Sequence, residues 1–340
     1  MFNEIRNICK EYASKLQKVA QIVSEIDMLI AFNIVAKTNN YVRPTFSLYD
    51  ELEIVGGRHP VIEVNLDKPF IPNDLILYNN DKILLITGPN MSGKSTYMRQ
   101  NAIIAIMAQM GSFVPATCAK LPIFDQIFTR IGSSDDIVSG ESTFMTEMLE
   151  VNYALQNATE RSLIILDEVG RGTATFDGMA LAQAIIEHIH FVTKAKTLFS
   201  THYHELTSLD QSLPFLKNVH VEANASNFDK TGELVFLHKV LDGPSDQSYG
   251  INVASLAKIP TDVTLRAQDL LEKLEAKSNI DQKTLSIENY HKPIVQVVEK
   301  NTKEADDVLN LLKSLNPDDM KPIDALVALS KLKAMVNEDE

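Results

Sequence analysis

The 340-residue sequence predicts an α/β fold built on a mostly parallel sheet, with a long helix before it and further helices after it. Three observations carry that expectation. Apolar, strand-like runs ("KILLITG", "SLIILDE", "KTLFSTH") alternate with the helical patterns of "YMRQNAIIAIMAQMG" and "MALAQAIIEHIHF", and such alternation favours crossover helices between parallel strands. Residues 2–34 repeat apolar side chains at steps of three and four (Phe2, Ile5, Ile8, Tyr12, Leu16, Val19), the mark of one amphipathic helix. Residues 251–277 read as two helices joined at Pro260.

Taken in order, the first helix would span roughly 50 Å at about 1.5 Å per residue, which suits a reach toward another part of a larger assembly. After the turn-rich "TNNYVRP" the pattern shortens to "LEIVGGRHPVIEV", and "ELVFLHKVLDG" is a later strand. Residues 279–303 lose periodicity and read as a linker; residues 304–333 regain a helical pattern broken at Pro317 and Pro322. The expected units are therefore a helix over 1–40, an α/β domain over 41–243, a helical element over 244–278, the linker 279–303 and a small helical segment over 304–340. No internal repeat is visible.

Composition narrows the function. Thirty-two Lys and Arg against 45 Asp and Glu leave a net charge of −13, so any contact with a nucleic-acid backbone must be local. Cys9 and Cys118 stand far apart without a CxxC companion, a usage that suits a reducing compartment and a cytosolic protein. No uninterrupted apolar run approaches the roughly 18 residues of a membrane span, and the start "MFNEIRNICKEYASK" has no signal-peptide core. The expectation is a protein that neither crosses a membrane nor is exported.

The chemistry is concentrated in a few short stretches. Gly88 to Ser95, within "ITGPNMSGKSTYMRQ", fits G-x-x-x-x-G-K-[ST] between an apolar strand and a helix. Glycines let the chain curl so that successive N–H groups face phosphate oxygens, and the following helix adds its positive end. Lys94 would reach the β- and γ-phosphates, and Ser95 would hold Mg²⁺ through its hydroxyl. "LIILDE" ends a buried strand in two carboxylates: Asp167 is assigned to the metal through water, and Glu168 to the general base that deprotonates the attacking water. "VSGESTF" packs Ser139, Gly140, Ser142 and Thr143 before a helical run. It reads equally as an ordinary helix cap and as a second phosphate grip offered to another chain's nucleotide in a head-to-tail dimer. His202 in "STHYHEL" follows a strand, where an imidazole can contact the γ-phosphate and sense hydrolysis. His204 lies two residues further on, but no third ligand has suitable spacing for a metal.

Together "TGPNMSGKST", "SGESTF", "LDEVGRGTATFDGMALA", "STHYHEL" and "SYGINVASLAKIP" resemble the ATPase half of the MutS family of DNA mismatch repair proteins, a branch of the ABC ATPase superfamily. The resemblance runs over nearly the whole chain. It implies a P-loop NTPase fold of ABC type and binding of ATP/ADP with Mg²⁺. Cofactor contacts would come from Gly88, Pro89, Asn90, Met91, Ser92, Gly93, Lys94, Ser95 and Thr96, with Ser95 and Asp167 on the metal. It implies catalytic roles for Lys94, Glu168, His202 and Ser142, the last as the serine offered across a dimer. Phe70 and His238 match positions that flank the adenine, and an aromatic face and an imidazole can indeed sandwich a purine. Arg171 would belong to the loop toward the subunit boundary, and "YGINVASLAKIP", despite its helix-turn-helix look, to the dimer contact.

The same resemblance implies a homodimer through the ATPase domains, tetramers through 304–340, a MutL-type repair partner and mismatched duplex DNA as the target. The family's mismatch-reading domain and most of its DNA clamp precede the matching region, so mismatch reading is assigned to no residue of this chain. Its sliding-clamp contact has only "TLSIENY" as a counterpart. The alternative is an ABC-type ATPase of transport or recombination. A transporter subunit predicts an LSGGQ-type signature that "SGESTF" departs from, and a recombination ATPase predicts a long coiled coil where only about seventy residues separate Lys94 from Asp167.

Overall fold

The computed structural model describes residues 2–78, 80–132, 143–224, 235–244 and 250–278. The chain divides into two compact units, Met1–Ser286 and Ile287–Glu340. The second unit, the segment 304–340 and the whole of the linker 279–303 lie outside the described residues.

Helix α1 (Phe2–Thr38) runs four residues beyond the predicted 2–34, and only Ala36 on it is buried. By length and composition alone it could cross a membrane, since it contains an 18-residue window of mean hydropathy 1.6. That corrects the expectation from uninterrupted runs: Gln21, Ser24, Glu25 and Asp27 break every run, yet the average over a window stays apolar. At its end the chain turns through Asn40, and Tyr41 N–H donates back to Ala36 O at 2.9 Å. Arg58 then ties this corner to the domain by donating to Asn39 O at 3.0 Å and pairing with Glu63 at 2.7 Å. Tyr41 packs under that guanidinium, and burial first, then Glu63, pushes its phenol up to about 12.

Two sheets follow. The smaller has the order β1-β5-β2-β3, from β1 (Thr45–Phe46), β5 (Cys118–Leu121), β2 (Leu52–Gly57) and β3 (Asn73–Leu77). Its β2–β3 and β2–β5 pairs are antiparallel. Of the strand expected over "LEIVGGRHPVIEV" only Leu52–Gly57 forms, because Gly56 takes a left-handed φ of 61° and the chain turns away after Gly57. The larger sheet has the order β10-β9-β4-β8-β7-β6, from β10 (Val235–Asp242), β9 (Leu216–Asn224), β4 (Ile83–Thr87), β8 (Lys196–Ser200), β7 (Leu163–Asp167) and β6 (Ile127–Arg130). All its pairings are parallel except β10 with β9. The predicted α/β class with a mostly parallel sheet is what forms.

Helix α2 (Lys94–Gln109) touches β2 of the small sheet and β7 and β8 of the large one. A helix enclosed on both sides is buried nearly all round, and α2 buries Tyr97, Met98, Ala102, Ile104 and Ala105 together with the polar Gln100 and Asn101. One continuous core results, from Ile54 and Leu75 of the small sheet through Met98 and Ile104 to Ile86 and Leu198 of the large. The turn leading into β4 is fixed by Lys196, which is 1% exposed and donates to Leu77 O, Tyr78 O and Asp81 O at 3.0–3.1 Å. Helices α3 (Thr143–Asn157) and α4 (Thr175–His188) complete the crossovers, α4 ending in a wide π turn over Ile189–Thr193. The predicted helix pair around Pro260 forms as α5 (Gly250–Leu256) and α6 (Thr261–Ser278).

Candidate functional site

Register places the site. In the large sheet Ile86 of β4 lies opposite Ser200 of β8, and Ser200 lies opposite Asp167 of β7. Three adjacent parallel strands therefore end at one level, and the loops leaving them meet there, as ligand sites in open α/β sheets do. Those loops carry Gly88–Gly93, the acidic pair 167–168 and His202.

The loop after β4 curls through left-handed φ values at Gly88 (134°), Met91 (67°) and Gly93 (106°). Gly88 is required twice over, since a Cβ there would also stand 3.0 Å from Val221 O. Pro89 and Asn90 form the turn's outer side, Met91 is 77% exposed, and Ser92 is buried with an Oγ that has no hydrogen-bond partner. A hydroxyl of this kind in the middle of a phosphate loop fits an oxyanion ligand. Lys94, 4% exposed, begins α2 and folds its ammonium back over the loop, donating to Gly88 O at 2.7 Å and Pro89 O at 3.2 Å. Burial pushes its pKa down, while the neighbouring Glu168 and Asp167 carboxylates pull the other way. Ser95 and Thr96 follow in the first turn of α2, half-buried.

Glu168 is brought to Lys94 across the strand ends: Oε1 lies 3.4 Å from Nζ, and Oε2 accepts from Arg171 at 2.7 Å. The carboxylate is thus gripped by two cations. Its backbone is left-handed (φ 52°), a costly state for a non-glycine residue that places strain at the centre of the site, and Ser200 stabilises it by accepting the Glu168 N–H through both O and Oγ at 3.1 Å. The Ser200 hydroxyl in turn donates to Asp167 Oδ1. His202 stands at the surface against Tyr203, ring centroids 4.0 Å apart. Desolvation lowers its pKa, and the charges of Glu168, Arg171 and Lys94 all act on its ring.

Beside the phosphate loop opens a cavity of about 540 Å³ lined by Phe70, Met91, Gly93, Thr96 and His238 among others. His238 Nδ1 donates to Ser92 O at 2.7 Å, tying β10 to the loop. Its left-handed φ of 52° marks a bulge where the β10–β9 register shifts between Phe236 and Val240. The expected pair Phe70 and His238 thus share one cavity wall system next to the loop. Ser142 and its neighbours Ser139 and Gly140 lie outside the described residues; Thr143 is the first residue of α3.

Sequence reading missed the supports. Asn73 holds the β10 bulge, donating to His238 O at 2.8 Å and accepting from Val240 N–H at 2.8 Å. Glu147 of α3 accepts from the Gly170 N–H at 2.6 Å and pairs with Arg130 of β6 at 3.2 Å, all buried. Tyr203 OH donates to Gly170 O at 3.0 Å. Asn73 follows Phe70 by three residues, but nothing in the pattern paired it with position 238.

Comparison with known proteins agrees with this geometry. A family profile described as MutS domain V matches residues 84–275, more than half of the chain. The chain belongs to the MutS family. A second profile, the C-terminal region of DNA mismatch repair protein MutS, matches residues 302–335. The DNA mismatch repair protein MutS of Bacillus subtilis (strain 168) is 50% identical over 345 residues, covering 98% of this chain and 40% of its own length. That of Staphylococcus aureus (strain JH9) is 51% identical over 360 residues, covering 98% and 41%. The chain therefore spans about two fifths of the length of these MutS relatives. The α/β fold with its mostly parallel large sheet is that of an ABC-type P-loop ATPase domain, MutS domain V.

Proposed function

We propose that the chain binds and hydrolyses ATP, with Mg²⁺, as the motor and dimerisation part of a DNA mismatch repair protein. The observation that carries this reading is the convergence of the Gly88–Ser95 loop, Lys94 and the acids Asp167 and Glu168 at the aligned ends of β4, β8 and β7.

Loop N–H groups and the start of α2 would hold the phosphate oxygens, and the Lys94 ammonium would bridge the β- and γ-phosphates. Phosphate oxygens compete directly with the Gly88 and Pro89 carbonyls and with Glu168 for that ammonium, so binding triphosphate loosens one side of the grip on Glu168. The freed carboxylate oxygen takes the proton of the attacking water, a contribution of about 10²–10⁴ in rate. Among the described residues there is no cluster of three or more metal-ligating side chains. Mg²⁺ in nucleotide sites takes one or two side-chain oxygens and completes its shell with phosphate and water. Ser95 and Asp167 would hold it, and the ion would neutralise phosphate charge. His202 would sense the γ-phosphate, and Phe70 with His238 would flank the base.

Ser142 is assigned to the partner subunit's nucleotide, two copies closing head to tail. Tetramer formation through 304–340, coupling of turnover to mismatched duplex DNA, contact with a MutL-type partner and a cytoplasmic location complete the proposal. DNA contacts would fall to the portions of the relatives outside the matched two fifths. The placement of α1 inside the region shared with those relatives supports a role within the assembly rather than in a membrane.

Lys94→Ala should abolish ATP binding, and Glu168→Gln should retain ATP while turnover falls at least about 100-fold. Wild-type hydrolysis by Lys94→Ala overturns the reading. Mixing Ser142→Ala with Lys94→Ala chains tests the shared site: heterodimers holding one intact site should recover activity above either homodimer, and plain averaging of the two defects argues against sharing.

A further inference from the structure

The cavity beside the phosphate loop has one polar group on its floor that no role above explains. Gln100 follows Thr96 by one turn of α2, so both side chains leave the same face of the helix, and both line the cavity. Gln100 is 0% exposed, and neither its Oε1 nor its Nε2 has a hydrogen-bond partner. A buried primary amide with both ends unpaired is rare, because folding strips its water without replacement.

Two of its buried polar neighbours in that lining are committed. Asn73 spends its amide on His238 O, Ile71 O and the Val240 N–H, and Tyr97 OH donates to Asp74 O at 2.8 Å. Space for the amide is made by β2: a Cβ on Gly57 would stand 2.7 Å from Gln100 Nε2. The strand carries glycine where the glutamine needs room.

We propose that Gln100 is a specificity-determining residue that reads the 6-amino/N7 edge of an adenine lying between Phe70 and His238. The assignment rests on the nucleotide reading of this site. A carboxamide offers one acceptor and one donor side by side; adenine offers the complementary donor and acceptor at its 6-amino group and N7. Guanine offers two acceptors, O6 and N7, on the same edge, so one arm of the amide faces a like group whichever way it is turned. A site built to hydrogen-bond a substrate group discriminates strongly against an analogue that lacks it, since the buried protein group is then left unpaired.

The test is equilibrium binding of nucleoside diphosphates, which avoids turnover, to the 340-residue chain. The set is ADP, GDP, purine riboside diphosphate (no 6-amino group) and 7-deaza-ADP (no N7). Wild type should bind ADP about 10-fold or more tightly than each of the others. Gln100→Met, unbranched and similar in volume, should bring all four within about two-fold of one another. Unchanged ratios in Gln100→Met overturn the assignment. Where that variant fails to fold, the wild-type ratios decide: equal binding of purine riboside diphosphate or of 7-deaza-ADP removes the amide's partner and overturns it too. Binding of all four alike defeats the Gln100 assignment alone, whereas binding of none defeats the nucleotide reading on which it rests.

Discussion

The backbone N–H of Gly170 donates to Oε1 of Glu147 at 2.6 Å, fastening the loop that carries Glu168 to helix α3. The other carboxylate oxygen of Glu147 takes Arg130 at 3.2 Å, and the Gly170 carbonyl takes the Tyr203 hydroxyl at 3.0 Å. One glycine two residues beyond the proposed base is thus held from both faces, by α3 on one side and by the segment after β8 on the other. Removing Glu147 would strand the buried Gly170 N–H and leave the Arg130 guanidinium, 7% exposed, paired only with the more exposed Glu150 at 3.2 Å. Glu147→Ala should therefore lose about 1–3 kcal/mol in urea denaturation. Tyr203→Phe should cost only about 1 kcal/mol. It should lower kcat for ATP while leaving KM within about two-fold, because the hydroxyl positions the acid loop and touches no phosphate. An unchanged kcat in Tyr203→Phe would reduce the bond to a structural one.

Gly170 and Gly178 meet so closely that neither tolerates a methyl group. A Cβ on Gly178 would stand 2.1 Å from Gly170 O and 2.3 Å from the Tyr203 hydroxyl; one on Gly170 would stand 2.6 Å from Gly178 O. Gly178 lies inside α4, where glycine to alanine ordinarily gains about 1 kcal/mol in helix propensity. Here the sign reverses, because backbone cannot yield as a flexible side-chain end can. Gly178→Ala should be destabilised by about 3 kcal/mol. Gly111→Ala is the control: φ is 89° but nothing lies within 4 Å of the added carbon, so only the strain of a left-handed alanine, about 1 kcal/mol, is expected. Equal midpoints for the two variants in thermal melts would refute the close-contact argument.

Local chemistry made the large sheet and the phosphate loop legible. β4 and β7 are buried strands that read as nearly continuous apolar runs, and Gly88–Ser95 is a pattern whose function follows from its own backbone. Of the small sheet only β2 was legible, inside "LEIVGGRHPVIEV"; β1 has two residues and β5 four, too short to show alternation. The supporting residues were hidden for another reason. Glu147 and Gly170, and Asn73 and His238, acquire meaning only when separate segments meet. The exposed length of α1 shows the converse limit, since its pattern of threes and fours is plain while the described residues place little of the protein against it.

Asn73 is the joint between the small sheet and β10. It is 5% exposed, donates to His238 O and Ile71 O, and accepts the Val240 N–H that the β10 bulge withdraws from the ladder. Asn73→Ala would strand a buried N–H and a carbonyl at the bulge, a loss of about 1–3 kcal/mol. It would also release His238 from its left-handed backbone, so nucleotide affinity should fall several-fold with the phosphate loop untouched. Asn73→Asp keeps the acceptor for Val240 and loses the donor to His238, and should fall between wild type and alanine in both denaturation and ADP titration. Identical ADP affinity in all three proteins would separate the bulge from the base cleft.

His190 gives the stability a pH dependence with a defined sign. Its ring stacks on Phe215 at 4.9 Å between centroids, and Nε2 accepts the Phe215 N–H at 3.3 Å. That acceptor exists only in the neutral imidazole. Burial, aided by Lys194, holds its pKa below the usual histidine value, and burial does the same at His59. In the unfolded chain these rings protonate near about 6.5, so below that pH the unfolded state binds more protons than the native one and stability falls as the pH is lowered. The contribution is complete above the unfolded pKa and is lost progressively toward acid. Urea midpoints should therefore drop between pH 7.5 and about 5.5, and His190→Phe should flatten that slope without abolishing it, His59 and His202 supplying the remainder. A slope unaffected by His190→Phe would place the titration elsewhere.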